Sequence, residues 1–494
     1  MNFNFTGTAG LDSSVDLTAD SMPIEFVNLF ITDEIIDNLV AETNRFASQF
    51  LQATSLKRKA RASNWSATNP AEMKQFIGCL LLTGIDKKPH IEDYWSSDPL
   101  LQMPVFGNTM PRDRFALLLK FLHFSDNEAC PEGDRLHKLR SICDNIILRF
   151  QAVYHLYENV SIDESMVLWR GRLIFRQYIP GKRHKYGVKL YLLCQPNGYV
   201  WNFMVYCGKM DSSGGLGHAE SVVMKLMHSI HDKGHVLFTD NFYTSVPLAK
   251  KLLKRKTHLC GTLRRNRKYL PQSVVSKPLK KGEVVSRRNG DIVVTKWKDK
   301  RYVLMLSTMH HGKVVDGTKH NRRGELVKKP DCVFDYNEHM GGVDRLDQLI
   351  SYYSPLRKTL KWYKKVVLQV FDFAVTNAFL IYKEVGGTRR NIWFRKQVIR
   401  SLISSDDRPG PAQGSVPQVF HHHRASDLSR LAGQHYMGVL RPTSSKAAPT
   451  TKCVVCRNRG VRKETRYICR TCPSRPALCV VPCFEDFHSC IDFS

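Results

Sequence analysis

At 494 residues, 43% of them hydrophobic, the chain is long enough for more than one domain and has ample apolar material for buried cores. Its 74 lysines and arginines against 45 acidic residues give a formal charge of +29, which points to a polyanionic partner, nucleic acid ahead of an anionic membrane. A membrane partner is set aside because no apolar run approaches the roughly 18 residues that span a bilayer; FIGCLLLTGI, at 76–85, comes nearest.

The N-terminus has no basic region followed by an apolar one, so the cytosol or nucleus is expected, where disulfides rarely persist. Residues 1–22 are small and polar and are expected to be disordered. The first 50 residues carry eight acidic side chains and one basic, Arg45. Apolar residues then recur at helical spacing (Phe26, Leu29, Phe30, Ile35, Ile36, Leu39, Val40). The cluster Lys57-Arg58-Lys59-Ala60-Arg61 has the composition of a nuclear import signal, and a nuclear location is the expectation. Asn69 before Pro70 reads as an N-cap opening a helix to Leu82 that stops at Gly84, and further helices are expected at 111–123 and 135–157. Residues 23–157 therefore read as a helical domain without chemistry of its own.

The pattern changes at NVSIDESMV, where Val160, Ile162 and Glu164 alternate with Ser161, Asp163 and Ser165. Asp163 falls in mid-strand on the polar face. Two further strands, 185–194 and 199–207, flank Gln195-Pro196-Asn197-Gly198, whose Asn-Gly pair signals a hairpin. A helix at 217–233 precedes the apolar run Val236-Leu237-Phe238-Thr239, which ends at Asp240, and Ser245-Val246-Pro247 starts another helix. Alone, Asp240 reads as a turn residue capping its loop. Strand, hairpin, helix, strand with aspartates on the first and last strands is, however, the order of a ribonuclease-H-like sheet, in which those strands are neighbours. Carboxylates so close repel unless they share a cation, and a pair of Mg²⁺ ions about 3.5–4 Å apart would also serve phosphodiester chemistry.

Residues 251–330 hold 23 lysines and arginines against five acidic residues, a density that suits a nucleic-acid surface, with Arg264, Arg265, Arg267, Lys268, Arg287 and Arg288 as candidate contacts. Strand-like pieces VVSRR, DIVVTKW and RYVLMLS lie within it. Met340-Gly341-Gly342 then leads into a helix with Asp344 and Asp347 at i and i+3 on one face, and the glycines allow close backbone approach. A long helical pattern follows at 360–385.

Residues 401–450 read as a linker around a short helix candidate, SDLSRLAG; the consecutive His421, His422 and His423 within it cannot easily converge on a metal. Of the fourteen cysteines, seven fall between 453 and 490: Cys453, Cys456, Cys469, Cys472, Cys479, Cys483 and Cys490, joined by His488. Seven thiols and one imidazole suffice for two tetrahedral Zn²⁺ sites, which a short segment with little core needs in order to fold. Arg457, Arg459, Arg462 and Lys463 lie between the ligands as candidate DNA contacts.

Three blocks in order, SIDESMVLWRGRLIFRQYIPGKRHKYGVKLYLLC (161–194), TDNFYTSVPLAKKLL (239–253) and HMGGVDRLDQLISYYSPLRKTLKWYKKVV (339–367), resemble the catalytic blocks of piggyBac-type DNA transposases, and the resemblance spans roughly residues 20–400 plus the cysteine-rich tail. It implies that Asp163, Asp240 and Asp344 form a metal-binding triad accompanied by Asp347. It further implies two catalytic Mg²⁺, TTAA target choice, transposon ends processed through DNA hairpins, and a homodimer acting on double-stranded DNA. The fold it implies is α/β: a ribonuclease-H-like core (158–263 and 331–354), a helical N-terminal domain (23–157) rejoined by 355–400, a β-rich basic insertion (264–330), and a cross-brace zinc domain (451–494). In that cross-brace, Cys453, Cys456, Cys479 and Cys483 would hold one Zn²⁺ and Cys469, Cys472, His488 and Cys490 the other. A transposase-derived DNA-binding protein without chemistry is the alternative, and a metal-dependent nuclease without strand transfer is a third reading.

Overall fold

The computed structural model describes residues 3–57, 60–180, 185–208, 217–320, 324, 326–359, 361–404, 435–440, 442, 446–472 and 474–490. The chain divides into two units, Met1–Arg408 and Pro409–Ser494.

The first unit opens with an extended strap. Residues 3–22 are not the disordered tail expected from their polarity. Gly10–Leu11 (β1) pairs antiparallel with Tyr154–His155 (β2), His155 meets Asp12 at 2.8 Å, and Leu11, Val15 and Leu17 pack on the main core. The rings of Phe3 and Phe5 lie 5.1 and 4.9 Å from those of His258 and His235. Average composition hides this because the apolar residues are few, yet each finds a place on a surface already formed.

Helices α1 (Pro23–Asn28), α2 (Asp33–Ala53), α3 (Pro70–Ile85), α4 (Pro104–Thr109), α5 (Arg112–Phe121) and α6 (His137–Val153) follow. Asn69 caps α3 as its sequence predicts, its side chain accepting from the Glu72 amide at 2.9 Å. Arg58 and Lys59 of the basic cluster lie outside the described residues.

A nine-stranded sheet comes next. Its strands are β3 (Asn159–Leu168), β4 (Gln177–Tyr178), β5 (Tyr186–Cys194), β6 (Val200–Val205), β7 (Val236–Thr239), β8 (His258–Thr262), β9 (Val284–Asn289), β10 (Ile292–Lys298) and β11 (Tyr302–Ser307). The order is β4-β5-β3-β7-β8-β11-β10-β9, with β6 also on β5. Strands β3, β7 and β8 run parallel, while β3–β5 and β5–β6 are antiparallel. The parallel steps use crossover helices α7 (His218–Leu226) and α8 (Val246–Lys254), as parallel neighbours must. Three antiparallel strands followed by two parallel ones, with the first strand in the middle, is the ribonuclease-H-like arrangement.

The basic stretch 264–330 is β-rich as expected, and its strands join the core sheet. Strand β11 pairs with β8 (Cys260 opposite Ser307), β10 with β11 and β9 with β10, so the sheet simply continues. This satisfies the backbone edge that β8 would otherwise leave open. Helix α9 (Gln272–Val275) and the ribbon of β12 (Val314–His320) and β13 (Leu326–Pro330) complete the stretch.

Helices α10 (Asp331–His339) and α11 (Gly342–Ser351) return to the sheet, and α12 (Trp362–Glu384) and α13 (Asn391–Ile403) return to the N-terminal helices, α12 packing on α6 and α1, α13 on α3 and α1. The buried pair Asp372–Arg395, at 2.7 Å, ties α12 to α13. By composition α12 is long and apolar enough to cross a membrane, which counting uninterrupted apolar runs overlooked; 89% of its apolar window is buried in the protein.

In the second unit, β14 (Met437–Val439) pairs with β17 (Tyr467–Cys469), and β15 (Thr451–Lys452) with β16 (Glu464–Thr465). Helices α14 (Val454–Asn458) and α15 (Cys483–Ser489) close on a small core of cysteines with Val455, Leu478 and Phe487. The structured part thus begins by residue 435, ahead of the expected 451, because β14 is needed to pair β17. The three histidines at 421–423 and the SDLSRLAG segment lie outside the described residues.

Candidate active site and metal centres

Strand register brings the first two aspartates together. Ile162 is the parallel partner of Thr239, so the next residues along, Asp163 and Asp240, emerge side by side where the strands end their pairing. Adjacent strands are about 4.8 Å apart. The Asp240 carboxylate accepts the Phe242 amide at 2.8 Å, and the Asp163 carboxylate that of Glu164 at 2.8 Å. Burial raises the Asp240 pKa above the usual carboxylate range, and the negative charge of Glu164 adds to the rise while Arg264 opposes it.

Helix α11 delivers the other two. It crosses β3 and lies so close at Gly342 that a Cβ there would sit 2.5 Å from the Gln195 carbonyl and 2.7 Å from Ser161 Oγ. The hairpin glycine Gly198, at φ +101°, packs against the same helix. Four residues further along β3, Ser165 Oγ donates to Asp347 Oδ1 at 2.6 Å. Ser161, Asp163 and Ser165 share one face of β3, so Asp163 lies between two points of contact with α11. Asp344 stands exposed in the first turn of that helix. The four carboxylates are not drawn into one tight cluster: among the described residues, the only groups whose ligand atoms all lie within 4.8 Å of one another are two Cys/His sets.

Two features were not legible in the sequence. Tyr336 of α10 faces the pair, and burial with the charges of Asp240 and Asp163 pushes its hydroxyl up to about 12. On the other side, Tyr243 donates to Glu164 at 3.1 Å, with Lys189 at 4.0 Å from the same carboxylate. The basic candidates divide. Arg264 donates to the Asn241 side chain at 2.8 Å, and Arg267 donates to the Asn241 carbonyl at 2.9 Å and to the Phe242 carbonyl, so both clamp the loop behind Asp240. Arg265, Lys268, Arg287 and Arg288 are exposed, Arg288 lying 3.6 Å from Asp291.

In the second unit Cys453, Cys456, Cys479 and Cys483 form a buried set, with Cys456 Sγ 3.5 Å from Cys483 Sγ and 3.9 Å from Cys479 Sγ. A tetrahedron with Zn–S bonds of roughly 2.3 Å has edges of about 3.8 Å, so the set fits zinc. The second set is Cys469, Cys472, His488 and His435. His435 replaces the expected Cys490. Its Nδ1 lies 3.6 and 3.5 Å from the two thiols, because β14 carries it alongside β17. Cys490 lies two residues beyond His488 across the end of α15, about 200° around a helix, and is exposed. His488 Nδ1 is held by the Phe484 carbonyl at 2.7 Å, which turns Nε2 toward Cys472. Arg457, Arg462 and Lys463 are exposed around this unit, and Arg459 pairs with Asp486 at 2.9 Å.

A family model described as Transposase IS4 matches residues 22–379, and one described as DDE_Tnp_1-like zinc finger matches residues 439–489. The chain belongs to this transposase family and is of the piggyBac type. It is 26% identical over 483 residues to the human PiggyBac transposable element-derived protein 3, covering 94% of this chain and 76% of that protein. To the human PiggyBac transposable element-derived protein 2 it is 29% identical over 384 residues, covering 73% of this chain and 61% of that one. A cryo-EM structure of the piggyBac transposase synaptic complex with hairpin DNA matches with a TM-score of 0.73 at 26% identity, over 94% of this chain and all of that one (100%).

Proposed function

We propose that this transposase is catalytically active, excising a DNA element through hairpin intermediates and inserting it at TTAA sites, as a nuclear homodimer. The observation that carries the reading is the placement of Asp163 and Asp240 on neighbouring strands, each one residue past the register pair Ile162–Thr239, with Asp347 tied to β3 through Ser165. An all-oxygen donor set suits Mg²⁺ rather than a softer metal, and Asp163, Asp240 and Asp344, joined by Asp347, would hold it. Bound Mg²⁺ would activate the attacking oxygen and stabilise the leaving one. The chain's own residues set the geometry: Ser165 orients Asp347, Arg264 and Arg267 fix the loop behind Asp240, and Gly342 lets α11 approach. DNA as substrate is supported by the charge of +29 and by the neighbour solved with hairpin DNA.

The names of the two human relatives describe proteins derived from transposable elements, which favours one alternative, DNA binding without chemistry. Excision from a plasmid carrying the element's own flanking ends, in Mg²⁺, separates the two. Excision by the wild type with restored TTAA, lost in Asp240→Asn, is the expected outcome. Equal end binding by both proteins with excision by neither would leave the DNA-binding reading.

A further inference from the structure

A cavity of about 900 Å³ in the first unit shares Ser165 and Asp347 with the aspartate site, while Asp163, Asp240 and Asp344 are not among its lining residues. Its volume falls in the range of small-molecule sites, roughly 300–1,000 Å³. Two polar side chains one turn apart on α12, Lys365 and Gln369, line it, and each is only 8% exposed. Among the described residues neither side chain has a hydrogen-bond or ion-pair partner. Buried lysines are ordinarily paired, as Lys364 beside it shows, donating to the carbonyls of Leu119 and Lys120 at 2.8 and 2.6 Å. An ammonium group kept in a cavity without a partner is a site built for an anion. Burial and the nearby charge of Arg170 both disfavour the lysine's own charge, so an incoming anion would relieve the repulsion. Exposed Lys87 and Lys358 add positive charge at the rim, and Leu80, Met166 and Leu368 supply apolar wall.

We infer that this cavity is a nucleotide subsite, taking one unstacked nucleotide of the DNA strand that passes the aspartates. Its phosphate would sit on Lys365, its base edge against the Gln369 amide and its base face on the apolar wall. The inference rests on the DNA reading above and adds to it where the strand leaves the duplex.

The test uses the full chain and fluorescent octathymidylate, followed by anisotropy across a salt series, with thermal melting as a fold control and a random duplex as a general DNA probe. Lys365→Met is expected to bind the octamer roughly tenfold more weakly. Its salt dependence is expected to fall by about 0.7 in slope, the share of one single-strand phosphate. Its melting temperature should equal or exceed that of the wild type, since a partly desolvated, unpaired ammonium at the cavity wall has been replaced by an apolar chain. Gln369→Met should weaken the octamer with the salt slope unchanged. Wild-type affinity and slope in both variants would overturn the subsite while leaving duplex binding, and so the DNA reading, standing. No binding of octamer or duplex by the wild type would sink the DNA reading and the subsite together. Free thymidine monophosphate that raises the melting temperature of the wild type but not of Lys365→Met, with octamer binding equal in the two, would assign the cavity to a free nucleotide and overturn the strand.

Discussion

Asp240 sits where folding opposes its charge. Its raised pKa means the folded chain holds a proton there more tightly than the unfolded chain does. The stabilisation from that carboxyl is fully present below its ordinary pKa of about 3.9 and is lost as pH rises through the raised value. At neutral pH, without metal, Asp240→Asn should therefore melt no lower than the wild type. Mg²⁺ should raise the melting temperature of the wild type and leave the variant unmoved; equal shifts in both would remove Asp240 from the metal site. The same scale shows what a sequence conceals. Arg264 and Arg267 looked like parts of one DNA-facing cluster with Arg265 and Lys268, but the chain turns the first two back onto the Asp240 loop. Net charge in a window counts cations without saying which are already in use.

Helix α11 depends on Gly342. A methyl group there would meet the Gln195 carbonyl at 2.5 Å, and backbone cannot give way as a side-chain end can. Gly342→Ala should cost about 1–3 kcal/mol in unfolding experiments, and by moving Asp344 and Asp347 it should reduce excision well beyond the fraction unfolded. In the zinc unit, His435→Ala should lower the bound metal from two ions to one, while Cys490→Ser should keep both; elemental analysis of the purified chain decides. The opposite result would restore Cys490 as the ligand. Elements whose signals are local were readable from sequence: the Asn69 cap, the Asn197-Gly198 hairpin, the alternation around Asp163 and the strand ending at Asp240. The Asp163–Asp240 neighbourhood followed once those elements were put in order. His435 was not readable, because it precedes Cys469 by a long interval and becomes a ligand only through strand pairing. Nor was the docking of β11 on β8, since a strand's sequence shows that it wants an edge but not which one.

For the molecule as a whole, the N-terminal strap and the last helices close the first unit over chain distances that composition cannot reveal. Removing residues 1–12 takes away β1, the Asp12–His155 contact and the two phenylalanine rings. The shortened chain should melt several degrees lower at neutral pH while keeping the two zinc ions of the second unit. An unchanged melting temperature would show that the strap adds nothing to the fold. The sheet from β4 to β9 is one hydrogen-bonded body, so the basic strands at its far edge and the paired aspartates near its middle are expected to move together. Salt titration of duplex binding should then show a steep slope that Arg287→Ala lowers by about one.

The contact of Phe26 with Phe394, ring centroids 6.2 Å apart, joins α1 to α13. During synthesis, at about 5–20 residues per second, α1 leaves the ribosome on the order of 20–70 s before its partner exists. Throughout that interval Phe26, fully buried in the finished protein, lacks Tyr382 of α12 and Phe394 of α13, the rings that pack on it. The apolar face of α1 is therefore open to non-native contacts until the last helices are made, and slowing translation between them is expected to lower the soluble yield.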